Sequence, residues 1–99
     1  KANEEIESLL FRNILGRVSK TLFALAQANG KRGADGGLLL GERYTHQELA
    51  DLVGTTREPL SRALARRRRA ELVDATRGRI VIRDPKKLEA LIATSVQTS

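Results

Sequence analysis

Apolar residues fall mostly at helical spacing along this chain, in stretches divided by glycine-rich or polar segments. Over residues 4–12, Ile6, Leu9 and Leu10 lie on one stripe; Asn13 then offers a capping side chain, which predicts a bend and a second helix start there. From residue 14 to 28 the stripe is Ile14, Leu15, Val18, Leu22, Leu25 and Ala26, the pattern of a core-facing helix, and Asn29-Gly30 supplies the stop. Residues 29–37 hold four of the chain's eight glycines among polar side chains, which predicts an exposed loop with little structure of its own. Residues 38–44 predict a short strand.

Two helices are predicted in close succession after that strand. Thr45-His46-Gln47-Glu48 has the capping-box pattern, in which the threonine oxygen takes an amide of the first turn and the glutamate reaches back. The helix opening at His46 is expected to bury Leu49, Ala50, Leu52 and Val53 and to stop at Gly54, where a left-handed conformation reverses the chain. Thr55-Thr56 serves as turn and new cap, and a second helix runs from about Arg57 towards Arg69 with Leu60, Ala63 and Leu64 inward. Ala50 is small where the helices approach, Gly54 turns the chain, and Leu60 packs back; this is the helix-turn-helix pattern.

Beyond it, apolar runs at residues 72–75 and 80–82 flank Arg77-Gly78-Arg79, the arrangement of a hairpin with a basic tip, or wing. Pro85 opens a final short helix through Leu88, Leu91 and Ile92, ahead of a polar tail expected to fray. The fold class predicted is α+β and mostly helical, a winged helix-turn-helix with a small antiparallel sheet.

Composition narrows the chemistry. Ninety-nine residues with 40% apolar content suffice for one domain with a single core. The absence of cysteine excludes disulfides, thiolate metal sites and cysteine nucleophiles, and fits a cytoplasmic location. A single histidine, His46, builds no metal site alone, and there is no phosphate-binding glycine loop or nucleophile elbow, so no catalytic, metal or cofactor residue is assigned. Apolar runs such as Leu38-Leu39-Leu40 are far too short to span a bilayer, so no membrane partner is expected. A start at Lys1 and the lack of methionine lead us to expect a fragment.

The net charge of +6 favours polyanionic partners, and its distribution is sharper than its total. Residues 57–69 carry Arg57, Arg62, Arg66, Arg67, Arg68 and Arg69 against one acid, Glu58, whereas residues 4–7 hold three glutamates.

The stretch from Thr45 to Glu58, THQELADLVGTTRE, followed by Leu60-Ser61-Arg62, resembles the signature of the Crp/Fnr family of bacterial transcription regulators. Residues 10–18, LFRNILGRV, are similar to the segment where that family's dimerisation helix passes through a hinge into its DNA-binding domain. The resemblance implies a division into residues 1–12, the end of a dimerisation helix, and 13–99, the winged helix-turn-helix, with Asn13 as hinge. The helix-turn-helix would span 45–69 and the wing 72–82.

It further implies a homodimer on a palindromic operator of double-stranded DNA, its half-sites about one helical turn apart, with an N-terminal sensor domain for a nucleotide or other effector. Arg57 and Arg62 would fork onto guanines and Glu58 would accept from a cytosine amine, consistent with TGTGA-like half-sites. Ser61 is also the residue type of the Fnr branch, which reads TTGAT-like sites; Arg57 favours the first. Phosphate contacts are expected from Thr45, His46, Thr56, Ser61, Arg66, Arg77 and Arg79, and an RNA polymerase contact from residues 29–37.

Two residues depart from the family pattern. Pro59 removes the amide that Thr56 would cap. Arg67 falls on the inward stripe, where it would snorkel to the surface, pair with Glu71 or lie against a partner, leaving either an early helix end or a loose core edge. The alternative function is a winged-helix protein-interaction module without sequence-specific DNA binding; a nuclease would need an acidic metal cluster that the sequence lacks.

Overall fold

The computed structural model describes the backbone of residues 2–98 and the side chains of residues 9–93. Its elements are α1 (Ala2–Asn29), β1 (Lys31–Arg32), β2 (Leu38–Leu39), α2 (His46–Val53), α3 (Arg57–Arg69), β3 (Val73–Thr76), β4 (Arg79–Ile82) and α4 (Pro85–Thr98). The strands form one antiparallel sheet in the order β1-β2-β4-β3. Both α3 and α4 pack against α1.

The core is drawn from every layer. Val18 and Leu22 of α1, Leu49 and Ala50 of α2, Leu60, Ala63 and Leu64 of α3, Val73, Ile80 and Ile82 of the sheet, and Leu88 of α4 are all buried in one cluster. Burial of an aliphatic side chain of this size is worth about 1.5–3 kcal/mol, so this cluster fixes how α3 is held.

Four local expectations are corrected. There is no second helix start at Asn13: α1 runs unbroken from Ala2 to Asn29, with Asn13 exposed on it. A single asparagine costs a helix at most about 0.7 kcal/mol, and the stripe that includes Phe11, Ile14, Leu15 and Val18 carries the helix past it. Ile6, placed on the first stripe, lies outside the described side chains, while Leu9 and Leu10 are exposed.

Second, the glycine-rich loop contains β1, paired with β2 through Lys31 opposite Leu39 and Arg32 opposite Leu38. The Gly33 amide donates to the Gly37 carbonyl at 2.8 Å and closes this hairpin. Third, β2 stops at Leu39, because the chain swings past the end of α1 so closely that a Cβ at Gly41 would strike the Asn29 carbonyl oxygen. Fourth, Leu52 is exposed: the inward stripe of α2 is Leu49, Ala50 and Val53, and Leu52 falls to its side. In addition, α4 continues to Thr98, through the tail expected to fray.

The end of α3 is a Schellman closure without glycine. The amides of Glu71 and Leu72 donate to the carbonyls of Arg68 and Arg67 at 2.9 and 3.0 Å, and Glu71 takes φ 59°. That closure directs the chain into β3.

Candidate nucleic-acid interface

The helix-turn-helix is built by three devices. Thr45 Oγ1 accepts from the Glu48 amide at 3.0 Å while Glu48 Oε1 accepts from the Thr45 amide at 2.8 Å, the reciprocal box that starts α2. Gly54, at φ 87°, ends α2, with the amides of Gly54 and Thr55 both donating to the Ala50 carbonyl. Arg17 of α1 completes the turn: its Nη2 donates to the carbonyls of Val53 at 2.6 Å and Gly54 at 3.2 Å. Glycine is favoured here by its positive φ, and a Cβ at Gly54 would lie 2.7 Å from that nitrogen and displace the end of the Arg17 side chain.

The first two turns of α3 present the predicted base readers. Arg57, Glu58 and Arg62 are exposed, while Leu60, Ala63 and Leu64 anchor the opposite stripe in the core. Thr56 caps α3 in an extended conformation but makes no side-chain cap hydrogen bond, because the third helical residue is Pro59, which has no amide hydrogen.

Two contacts flank this face. Arg62 and Arg66 place their guanidinium carbons 5.2 and 5.5 Å from the centroid of the Phe11 ring on α1, a shared cation–π platform. On the other flank, His46 Nδ1 and Ser61 Oγ are 2.7 Å apart, joining the start of α2 to α3.

Of the predicted phosphate contacts, Arg77 and Arg79 lie at the wing and Thr45 and His46 follow the segment tied to it, whereas Thr56, Ser61 and Arg66 belong to α3. Arg77 and Gly78 form the tip between β3 and β4, both with positive φ, 54° and 78°, as a two-residue type I′ hairpin turn requires. The Tyr44 amide donates to the Gly78 carbonyl at 2.9 Å, tying the wing tip to the segment that leads into Thr45 and His46. Arg43, Arg77 and Arg79 line one shallow cleft there. Arg66 stands apart from this group, on the Phe11 platform.

Arg67 is half-buried and, of the courses expected of it, does not take the pairing with Glu71; it reaches into α1 instead. Its Nε donates to Ser19 Oγ at 3.0 Å, and Ser19 is fully buried in α1. Burial, and secondarily the neighbouring Arg66, push the Arg67 pKa below the usual arginine value. The helix does not end early: α3 runs to Arg69. Sequence reasoning also missed Phe11 and Arg17. Phe11 is one of two phenylalanines and carried a faint signal, but a lone arginine on a polar helix face carries none.

Among the described residues no group of three His, Asp or Glu side chains could hold a metal ion, and no helix is long and apolar enough to cross a membrane. The geometry is that of a capped two-helix unit beside a basic wing.

Comparison with known proteins agrees. The Crp-like helix-turn-helix domain profile matches residues 16–91. The CRP-like cAMP-activated global transcriptional regulator of Mycobacterium tuberculosis is 38% identical over 65 residues, covering 66% of this chain and 29% of the relative. Among solved structures, the catabolite activator protein of Thermus thermophilus is 28% identical with a TM-score of 0.80, covering 95% of this chain and 40% of that one. A second regulator from Thermus thermophilus, of the CRP/FNR family, is 27% identical with a TM-score of 0.72, covering 93% and 46%. The chain therefore spans less than half the length of these relatives. With its capped two-helix reader, its wing and this match over most of its length, the chain belongs to the Crp-like helix-turn-helix domain family of transcription regulators.

Proposed function

We propose that this chain is the operator-reading head of a dimeric, cytoplasmic transcription regulator, with α3 in the major groove of a palindrome of TGTGA-like half-sites. The observation that carries the reading is the first two turns of α3: Arg57, Glu58 and Arg62 stand exposed while the opposite stripe is locked in the core. Arg57 and Arg62 take guanines and Glu58 a cytosine amine, each worth about 1–3 kcal/mol of discrimination. Thr45, His46, Thr56, Ser61, Arg66, Arg77 and Arg79 serve the phosphate backbone, directly or through one another.

Leu9 and Leu10, exposed on the N-terminal half of α1, are the apolar surface a second copy would cover. A nucleotide effector binds a sensor domain outside this chain, a proposal supported by the name of the mycobacterial relative, which is cAMP-activated. Residues 29–37, here a hairpin, form the surface for RNA polymerase, and the domain works by binding without turnover.

Fluorescence anisotropy with a TGTGA-N6-TCACA duplex and a scrambled duplex tests the reading. The palindrome is expected to bind more tightly, and Arg57→Ala is expected to abolish the difference. Equal binding of both duplexes by the wild type would refute the half-site, and no binding of either would favour a protein-interaction role.

A further inference from the structure

The hydroxyl of Ser61 lies one residue before Arg62, on the helix that carries the base readers, and the imidazole of His46 opens α2. Each side chain alone has the chemistry to contact DNA, but they bond to each other at 2.7 Å, and both are half-buried where Arg57, Glu58 and Arg62 are exposed. We propose that Ser61 reads no base and acts through His46, fixing its imidazole as a single N–H donor, from Nε2, to a DNA phosphate. This rests on the DNA-binding reading above.

The argument is one of hydrogen counting. A serine hydroxyl has one hydrogen, and when it is given to His46 Nδ1 none remains for the N7, O6 or O4 acceptors of a base edge. A neutral imidazole whose Nδ1 accepts must carry its proton on Nε2. With Ser61 donating, the nitrogen directed away from Ser61 is therefore a donor; the reverse bond, from Nδ1–H to Ser61 Oγ, would leave Nε2 an acceptor, and the tautomer measurement below separates the two. Without Ser61 the neutral ring divides between two tautomers, and one of them turns a lone pair towards the phosphate.

The surroundings fit a phosphate at this place. His46 is the first residue of α2, whose backbone is fixed by the Thr45–Glu48 capping box and whose first-turn amides carry the positive end of the helix dipole. The hydrogen bond from the Tyr44 amide to the Gly78 carbonyl brings the wing tip, with Arg77 and Arg79, to the same segment. Ser61 is thus a positioning residue for His46.

Two measurements test this on the 99-residue chain. Long-range 1H–15N NMR of the imidazole near pH 8 is expected to show the Nε2–H tautomer in the wild type and a mixed population in Ser61→Ala, with Ser61→Thr restoring the single tautomer. Selection from duplexes randomised over the half-site is then compared for wild type, Ser61→Ala, His46→Ala and the double variant. Ser61→Ala is expected to weaken all sequences alike, by up to about tenfold, the loss of one hydrogen bond to a charged acceptor. Base preference stays unchanged, and the double variant binds no more weakly than His46→Ala alone. A changed preference at any base pair in Ser61→Ala, additive losses in the double variant, or an unaltered tautomer would overturn the proposal while leaving the DNA-binding reading intact. A wild type that binds no duplex would remove both.

Discussion

Thr45 and Thr56 are both threonines at helix N-caps, yet only Thr45 makes a side-chain cap bond. Thr45→Ala should therefore lower unfolding stability by about 1 kcal/mol, whereas Thr56→Ala should cost less than about half of that. Urea denaturation of the two variants checks the difference, and equal losses would mean that the proline at the third position of α3 is irrelevant to capping. Arg67 and Ser19 form a second residue-scale pair, in which a buried hydroxyl meets a half-buried guanidinium. Ser19→Ala is expected to cost about 1 kcal/mol by stranding the arginine, while Ser19→Ala with Arg67→Met should return to within about 0.5 kcal/mol of the wild type. A double variant as weak as the sum of its parts would show that the pair is not coupled.

At the scale of elements, strain is concentrated at two connections. Glu71 and Arg77 hold positive φ without being glycine, at the exit from α3 and at the wing tip. Glu71→Gly should stabilise the domain by roughly 0.5–1 kcal/mol, because the left-handed conformation disfavours a Cβ and the gain exceeds the added freedom of the unfolded chain. A fall in thermal midpoint would contradict this account. Arg77 occupies a position where asparagine or glycine would be more stable, consistent with an arginine kept for its charge at the tip.

These elements divide by how far their causes lie along the chain. The starts of α2 and α3, the Gly54 turn, the wing and the inward residues Ala50, Leu60, Ala63 and Leu64 are set by neighbours within a few positions, so they were legible in the sequence. The path at Gly41 depends on the end of α1, a contact across elements that local pattern does not encode, whereas the two-residue β1 and the exposure of Leu52 have near causes, a hairpin masked by its glycines and a helix stripe narrower than the run of apolar residues. At the candidate site the same division holds. The exposed face of Arg57, Glu58 and Arg62 follows from helical spacing, whereas the Arg17 clamp, the Phe11 platform and the His46–Ser61 bond join residues 15 to 55 positions apart.

For the molecule as a whole, charge and shape act together. Arginines at the wing and along α3 make binding to any duplex salt-dependent, and each phosphate contact adds about one to the slope of log affinity against log salt. Arg77→Ala is expected to reduce that slope by about one and to weaken all sequences alike, in contrast to Arg57→Ala. An unchanged slope would place the wing away from the phosphates.

The unbroken α1 has a mechanical consequence. A continuous helix transmits rotation as a shaft does: the reading head is keyed to it through Arg17, Phe11 and the Ser19–Arg67 bond. Each residue added to or removed from the helix upstream of Phe11 turns whatever lies beyond by about 100° and shifts it by about 1.5 Å. The angular phase between the head and anything mounted at the far end of α1 is therefore geared in discrete steps, and a four-residue insertion should preserve it better than a two-residue one.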